Sequence, residues 1–300
     1  MSTVPASLPL QPAAPRVADL VTPLELLALA AIWGASFLFM RVAAPEFGAL
    51  PLASVRLAFG ALALLPFVWL ARRELPARLW PRLIAIGAMN SAIPFVLFAW
   101  AATRAPAGVS AIANSTTVLF TALVAFVAWR EPIGLRRGIG LAVGFLGVVV
   151  LAGGDAGGSD VRYGALAGTI AAFLYGVAAN LVKRQLAGLP PVGIAGATLV
   201  ASALMLAPFG IANWPAASIS APAWGSAVAI GVVCTGVAYA LYFRLIRRVG
   251  PARAVTVTYL VPLFAVAWAW LILGEPLTPT MAIAGALILG GVALAQSRPK

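Results

Sequence analysis

The chain has no histidine. Its 300 residues therefore lack the commonest general base, metal ligand and proton shuttle. The single cysteine, Cys234, rules out an internal disulfide and leaves compartment unread. Charge of either sign is scarce. Only 9% of residues are charged, against about 25% in a soluble domain, too few to cover a water-facing surface. Acids are scarcest, eight against twenty Lys and Arg. Asp19, Glu25, Glu46, Glu74, Glu131, Asp155, Asp160 and Glu275 all fall in tails, loops or the ends of apolar runs. Zinc chemistry, Ser–His nucleophiles and paired buried aspartates have no residues to build on, so no enzyme, metal or cofactor is expected.

The abundant component is apolar sequence, 62% of the total. Ten runs read as membrane spans of about 20 residues each. They are Leu24–Ala44, Leu50–Ala71, Leu83–Thr103, Ala107–Trp129, Leu135–Gly153, Tyr163–Leu181, Val192–Ile211, Trp224–Leu245, Ala254–Leu273 and Pro276–Gln296. A span must satisfy its own backbone in lipid, and no run alternates as barrel strands do, so the runs are predicted helices. The net charge of +12 invites a nucleic-acid partner. The basic residues sit at run ends, however, where orientation in the bilayer explains them. With the N-terminus cytoplasmic, sixteen Lys and Arg fall inside and three (Arg41, Arg104, Arg162) outside, with Arg56 within a run. The positive-inside bias therefore predicts a multi-pass protein of the cell membrane with both termini cytoplasmic.

The runs form a repeat. Ala229–Val292 lies over Ala85–Val148 at a constant shift of 144 residues, with Ala85-Ile86-Gly87 on Ala229-Ile230-Gly231, Arg104 on Arg248 and Glu131-Pro132 on Glu275-Pro276. Five spans per copy is an odd number, so the second copy enters the bilayer from the opposite side. The expected architecture is an all-α membrane protein of ten helices in two inverted five-helix repeats, with a binding site between the halves near the midplane. The domains read as a disordered cytoplasmic tail 1–23, repeats 24–153 and 163–296, a glycine-rich linker 154–162, and a tail 297–300. A receptor or scaffold would be expected to add a soluble domain, and the longest stretch outside the runs is Met1–Pro23.

Several stretches carry a family resemblance. Trp33-Gly34-Ala35-Ser36-Phe37 with Arg41 resembles the opening motif of the EamA-type family in the drug/metabolite transporter superfamily. Tyr239–Arg244 through Arg248–Arg253, then Leu260-Val261-Pro262-Leu263-Phe264 and Leu273–Thr278, resemble its second-repeat signature. The resemblance covers about Leu24 to Gln296. It implies a bundle with helices 1–4 and 6–9 around a central cavity and helices 5 and 10 peripheral. It also implies export, or sometimes uptake, of amino acids and related metabolites by alternating access. The expected partners are a small-molecule substrate and the lipid bilayer, with room for a homodimer through the peripheral helices.

The polar and aromatic residues inside the runs are the site candidates. Arg56, some six residues into its span, costs about 2.5–3.5 kcal/mol near the bilayer centre on insertion scales. It either attracts an anionic substrate group or snorkels outward. Ser110, Asn114, Thr117 and Thr121 make a polar stripe on helix 4 at i, i+4, i+7 and i+11; they line a path or bond between helices. Thr258 takes Asn114's place in helix 9. Thr235, Tyr239 and Tyr242 make a second stripe on helix 8, matched by Ser91, Phe95 and Phe98, with Asn90 beside them. Trp33 and Tyr175 are matched aromatics of helices 1 and 6, Ser36 belongs to the opening motif, and Asn180 lies on a different face from Tyr175. Pro94 and Pro262 should bend their helices as hinges or static kinks. Glu131 and Glu275 are expected to cap the next helix or pair with Arg136 or Arg137, with gating pairs as the alternative. Arg56 favours a zwitterionic or anionic metabolite, an amino acid or derivative; the aromatics leave cationic or nucleoside-like drugs as the runner-up.

Overall fold

The computed structural model describes residues 17–153, 158–250 and 254–296. Asp155, most of the expected N-terminal tail and the 297–300 tail lie outside them. The helices are α1 (Val17–Phe47), α2 (Ala49–Ala71), α3 (Ala77–Ala102), α4 (Ala107–Trp129), α5 (Leu135–Gly153), α6 (Gly158–Gln185), α7 (Pro191–Ala212), α8 (Ala221–Val249), α9 (Val257–Leu273) and α10 (Pro279–Gln296). Among the described residues nine are long and apolar enough to cross a membrane, and α9 is a shorter apolar helix. Several helices start earlier than the apolar runs suggest: α3 begins at Ala77 and α8 at Ala221, ahead of Leu83 and Trp224. α1 takes in residues 17–23 of the expected tail, and α6 takes in Gly158–Asp160 of the expected linker. Asp160 sits in the first turn of α6, where a carboxylate suits the positive end of the helix dipole.

The two repeats run in opposite directions. α1 ends beside the start of α4, where Arg41 and the Ala107 amide both reach Glu275 at the end of α9. α6, its counterpart, ends beside the end of α4, where Lys183 and Arg184 reach Glu131. One face of the bundle is thus the Phe47 end and the other the Gln296 end.

Lipid tails are as apolar as leucine, so close backbone approach between small residues holds such helices together. The glycine crossings come in matched pairs. A Cβ on Gly34 of α1 would lie 2.8 Å from the Ala265 amide of α9, and one on Gly176 of α6 would lie 2.8 Å from the Thr121 amide of α4. A Cβ on Gly87 of α3 would meet the Thr198 carbonyl of α7 at 2.7 Å, and one on Gly231 of α8 would meet the Arg56 carbonyl of α2 at 3.1 Å. Each repeat therefore packs its neighbour's helices as well as its own. Where α5 crosses α10, a Gly291 Cβ would lie only 2.5 Å from the Gly140 carbonyl and the Gly144 amide, the shortest such approach to backbone atoms.

The repeats also share two irregularities. α3 contains a π-helical turn at Ala88–Ala92 and α8 one at Val232–Val237, starting at matched positions of the 144-residue shift. Pro94 comes just after the first turn, and with no N–H it cannot make the usual helical bond to the Asn90 carbonyl. Ala238 holds Pro94's place in α8, so proline does not cause the turn. Pro262 lies buried inside α9 without ending it. α4 and α9 both end on a left-handed residue, Arg130 (φ 55°) and Gly274 (φ 67°), with the next amide reaching back to Ala125 and Ala269.

Candidate functional site

Between the repeats lies a cavity of about 480 Å³, a size suited to a small metabolite. α1 lines it with Trp33, Ser36, Phe37 and Met40, α2 with Arg56, α3 with Phe98, and α4 with Asn114, Thr117, Val118 and Thr121. α6 adds Tyr175, and α9 adds Thr258 and Val261. The cavity reaches the Gln296 end of the bundle, where Arg137 of α5 and Gln296 of α10 form its rim. α5 and α10 are thus not purely peripheral.

Seven of the eleven substrate-site residues expected from sequence meet at this cavity: Trp33, Ser36, Arg56, Asn114, Thr117, Tyr175 and Thr258. Four do not line it. Ser110 is buried on α4, its hydroxyl without a partner among the described residues. The stripe it belongs to assumes one straight helix, but α4 is broken at Thr116 into Ala107–Ser115 and Thr117–Trp129. Asn90 is half-buried within the α3 π-turn. Thr235 is buried in the α8 π-turn, its hydroxyl bonded to the Ile230 carbonyl at 2.9 Å and facing Arg56 Nε at 3.4 Å. Tyr239 packs against Phe243 and the α2–α3–α7 cluster. A π-turn holds one residue more than an α-turn, which rotates the later residues by about 100°. Regular spacing therefore misplaces Tyr239. Phe37, Met40, Val261, Arg137 and Gln296 join the wall without a signal in the sequence. Apolar residues on apolar helices do not stand out, and the last two fall at the ends of their runs.

Arg56 is half-buried at the deep end. Its guanidinium stacks 3.6 Å from the Phe95 ring centroid, and among the described residues its N–H groups reach only the Thr235 hydroxyl and the Met40 sulfur at 3.7 Å. Among the described residues no carboxylate pairs with it. Five donors in a planar fork are therefore weakly used, in the geometry that matches a carboxylate. Around it the hydroxyls of Ser36, Thr117, Thr121 and Thr258 donate to backbone carbonyls of Trp33, Asn114, Thr117 and Val255 at 2.6–2.8 Å. They present acceptor lone pairs to the cavity. The Asn114 amide has no partner among the described residues. Phe98 joins the wall to Phe37 edge-on at 5.6 Å and to Tyr175 stacked at 6.1 Å. The deep walls are thus aromatic, with the Arg56 cation and several acceptors, and a second cation, Arg137, at the rim. Asn180 is buried away from the cavity, donating to the Thr121 and Gly176 carbonyls.

An ion-pair network binds the helix ends together at the Phe47 end. Glu275 Oε1 accepts from Arg41 Nε and Oε2 from the Ala107 amide, both at 2.8 Å, while Arg41 also donates to the Ala102 carbonyl at 2.6 Å. One ion pair therefore ties the ends of α1, α3, α4 and α9. Its counterpart at the Gln296 end, Glu131 with Lys183 and Arg184, is more exposed and ties only α4 to α6. Among the described residues Glu131 pairs with Lys183 and Arg184 rather than with Arg136 or Arg137, and Glu275 accepts from the first amide of α4 rather than of α10. α1's early turns instead hold Glu25, which pairs with Arg244 and Arg248 of α8.

Residues 23–153 and 162–296 each match the EamA-like transporter family. The chain is 27% identical over 269 residues to a probable terminal-alkyne amino-acid exporter of Streptantibioticus cattleyicolor, covering 89% of this chain and 90% of that one. It is 29% identical over 286 residues to the uncharacterized inner membrane transporter YedA of Escherichia coli, covering 90% and 88%. It is 27% identical to the uncharacterized transporter YdfC of Bacillus subtilis, covering 87% and 86%. A crystal structure of a protein 20% identical superposes with a TM-score of 0.63 over 92% of this chain and 95% of the other, a likeness of fold alone.

Proposed function

We propose, from the premise that this chain belongs to the EamA-like transporter family of the drug/metabolite transporter superfamily, that its cavity exports an amino acid or a related small carboxylate by alternating access. The protein is a membrane transporter of the cell membrane. The finer reading rests on one observation: Arg56, a half-buried cation with unused donors at the deep end of a cavity. Leaving such a group without an anion is costly in a low-dielectric setting, and a substrate carboxylate offsets that cost. The acceptor oxygens of Thr117, Thr258 and Asn114 suit an ammonium, and Trp33, Phe98 and Tyr175 suit an apolar side chain.

Ten spans with cytoplasmic termini turn the Gln296 end toward the cytoplasm. The cavity is then loaded from inside while the Arg41–Glu275 pair shuts the outer end. The probable terminal-alkyne amino-acid exporter of Streptantibioticus cattleyicolor supports the substrate class by similarity. Drug cations fit less well, because among the described lining residues there are two guanidinium groups and no carboxylate.

The test is flux in proteoliposomes over a panel of labelled amino acids, N-acyl amino acids and cationic dyes. Arg56→Ala should lower carboxylate flux at least tenfold with normal expression and thermal stability. Unaltered flux in that variant removes Arg56 from the site and the substrate class with it.

A further inference from the structure

The rim of the cavity carries a second cation with no part in the proposed binding of the carboxylate by Arg56. Arg137 is half-buried on the first turn of α5 and lines the cavity at the Gln296 end. Among the described residues it has no carboxylate partner. Two described acids at the same end are already taken. Glu131 is held by Lys183 and Arg184, and Glu25 by Arg244 and Arg248. Glu74 lies in the loop after α2 and is not in the cavity wall. A cation in the first turn of a helix is also opposed by the helix dipole, and among the described residues no acid pairs with it. Gln296, across the rim, accepts from the Tyr259 hydroxyl.

We infer that Arg137 is an anion-capture subsite at the mouth of the cavity, a station that small carboxylates meet before Arg56 and that favours solutes presenting an anionic group over cationic ones. The inference rests on the reading of Arg56 as the site for the anionic group. The two cations are not one clamp. From Arg56 to the Gln296 end α2 advances about 20 Å at 1.5 Å per residue, too far for one small metabolite to span. Arg137 therefore acts on arrival, while Arg56 acts on the bound state. A like-signed cleft with low-dielectric walls concentrates counter-charged solutes at its mouth, and a rim charge alters association rather than the bound complex. Positive-inside orientation is the competing account of Arg137. It requires only a positive charge near the span end and predicts no effect inside the cavity.

The experiment reads the cavity's potential without needing the substrate. In full-length Cys234→Ala protein, Thr121→Cys places one thiol in the cavity wall, about 10 Å along the axis from the Arg137 end by helical rise. Thr117→Cys gives the same readout one turn deeper and guards against a misfolded first variant. The rate with an anionic sulfonate thiosulfonate is divided by the rate with a cationic trimethylammonium thiosulfonate, and this ratio is normalised to free cysteine. One unit charge about 10 Å away, even at the dielectric of water, changes the ratio about fourfold. The ratio should exceed unity by at least that factor. Arg137→Gln should lower it by about fourfold, Arg137→Lys should restore it, and high salt should compress the difference. A ratio near unity, or one that Arg137→Gln leaves unchanged, overturns the subsite. The Arg56→Ala flux measurement fails or succeeds independently, so the two readings are judged apart.

Discussion

Converting Glu275 to glutamine tests whether the Phe47 end is a latch. The carboxylate makes two short bonds, to Arg41 Nε and to the Ala107 amide, with side-chain exposures of 14% for Glu275 and 33% for Arg41. A hydrogen bond to a charged group contributes about 1.5–3 kcal/mol when shielded. The third of Arg41 left in solvent lowers that figure. Glutamine keeps one acceptor oxygen, so it retains one of the two bonds and loses the charge. The expected loss is about 1–2 kcal/mol of stability in the closed conformation, which moves a two-state equilibrium about 5- to 30-fold. The assay is labelling of Ser36→Cys, on the cavity wall, in a Cys234→Ala background, with a membrane-impermeant thiol reagent applied from the Phe47 side. Labelling from that side should rise by the same factor. Adding Arg41→Gln should change little further, because two members of one network are not additive. Unchanged labelling in Glu275→Gln, at unchanged thermal stability, means that the pair does not hold that end shut. Glu131→Gln is the internal comparison. Its partner Lys183 is 67% exposed, so its effect on access from the Gln296 side should be smaller.

Two further predictions concern packing and backbone. Gly291→Ala would push a methyl to 2.5 Å from the Gly140 carbonyl and the Gly144 amide, both backbone atoms that no rotamer can clear. It should cost about 1–3 kcal/mol in thermal or denaturant unfolding in detergent, whereas Gly290→Ala, with nothing within 4 Å, should be neutral within error. Arg130→Gly should stabilise by about 0.5–1 kcal/mol, since a non-glycine residue there holds φ at 55° while its repeat partner is Gly274. A lower unfolding midpoint for Arg130→Gly would mean that the Arg130 side chain does more than its backbone strain implies.

The α-helical class, the two-copy plan and the membrane setting were legible without coordinates, because each depends on composition summed over long stretches. Twenty apolar residues in lipid must be a helix whatever their order, and a 144-residue shift with an odd number of spans dictates that the copies run oppositely. Arg56 and the Asn114–Thr117 pair were legible for a related reason. A polar group in an apolar run is costly enough that it has to face something polar. Which polar residues share a cavity was not legible. That depended on the break at Thr116 and the π-turns at Ala88–Ala92 and Val232–Val237, where one residue of extra winding turns Tyr239 and Thr235 off the cavity wall. It depended as well on pairing across hundreds of positions, as Arg41 with Glu275 or the rim formed by Arg137 and Gln296. Local periodicity carries no information about a partner supplied by the opposite repeat. Only the packed bundle decides which ends meet, because the glycine crossings that set helix separation also fix which side chains face each other.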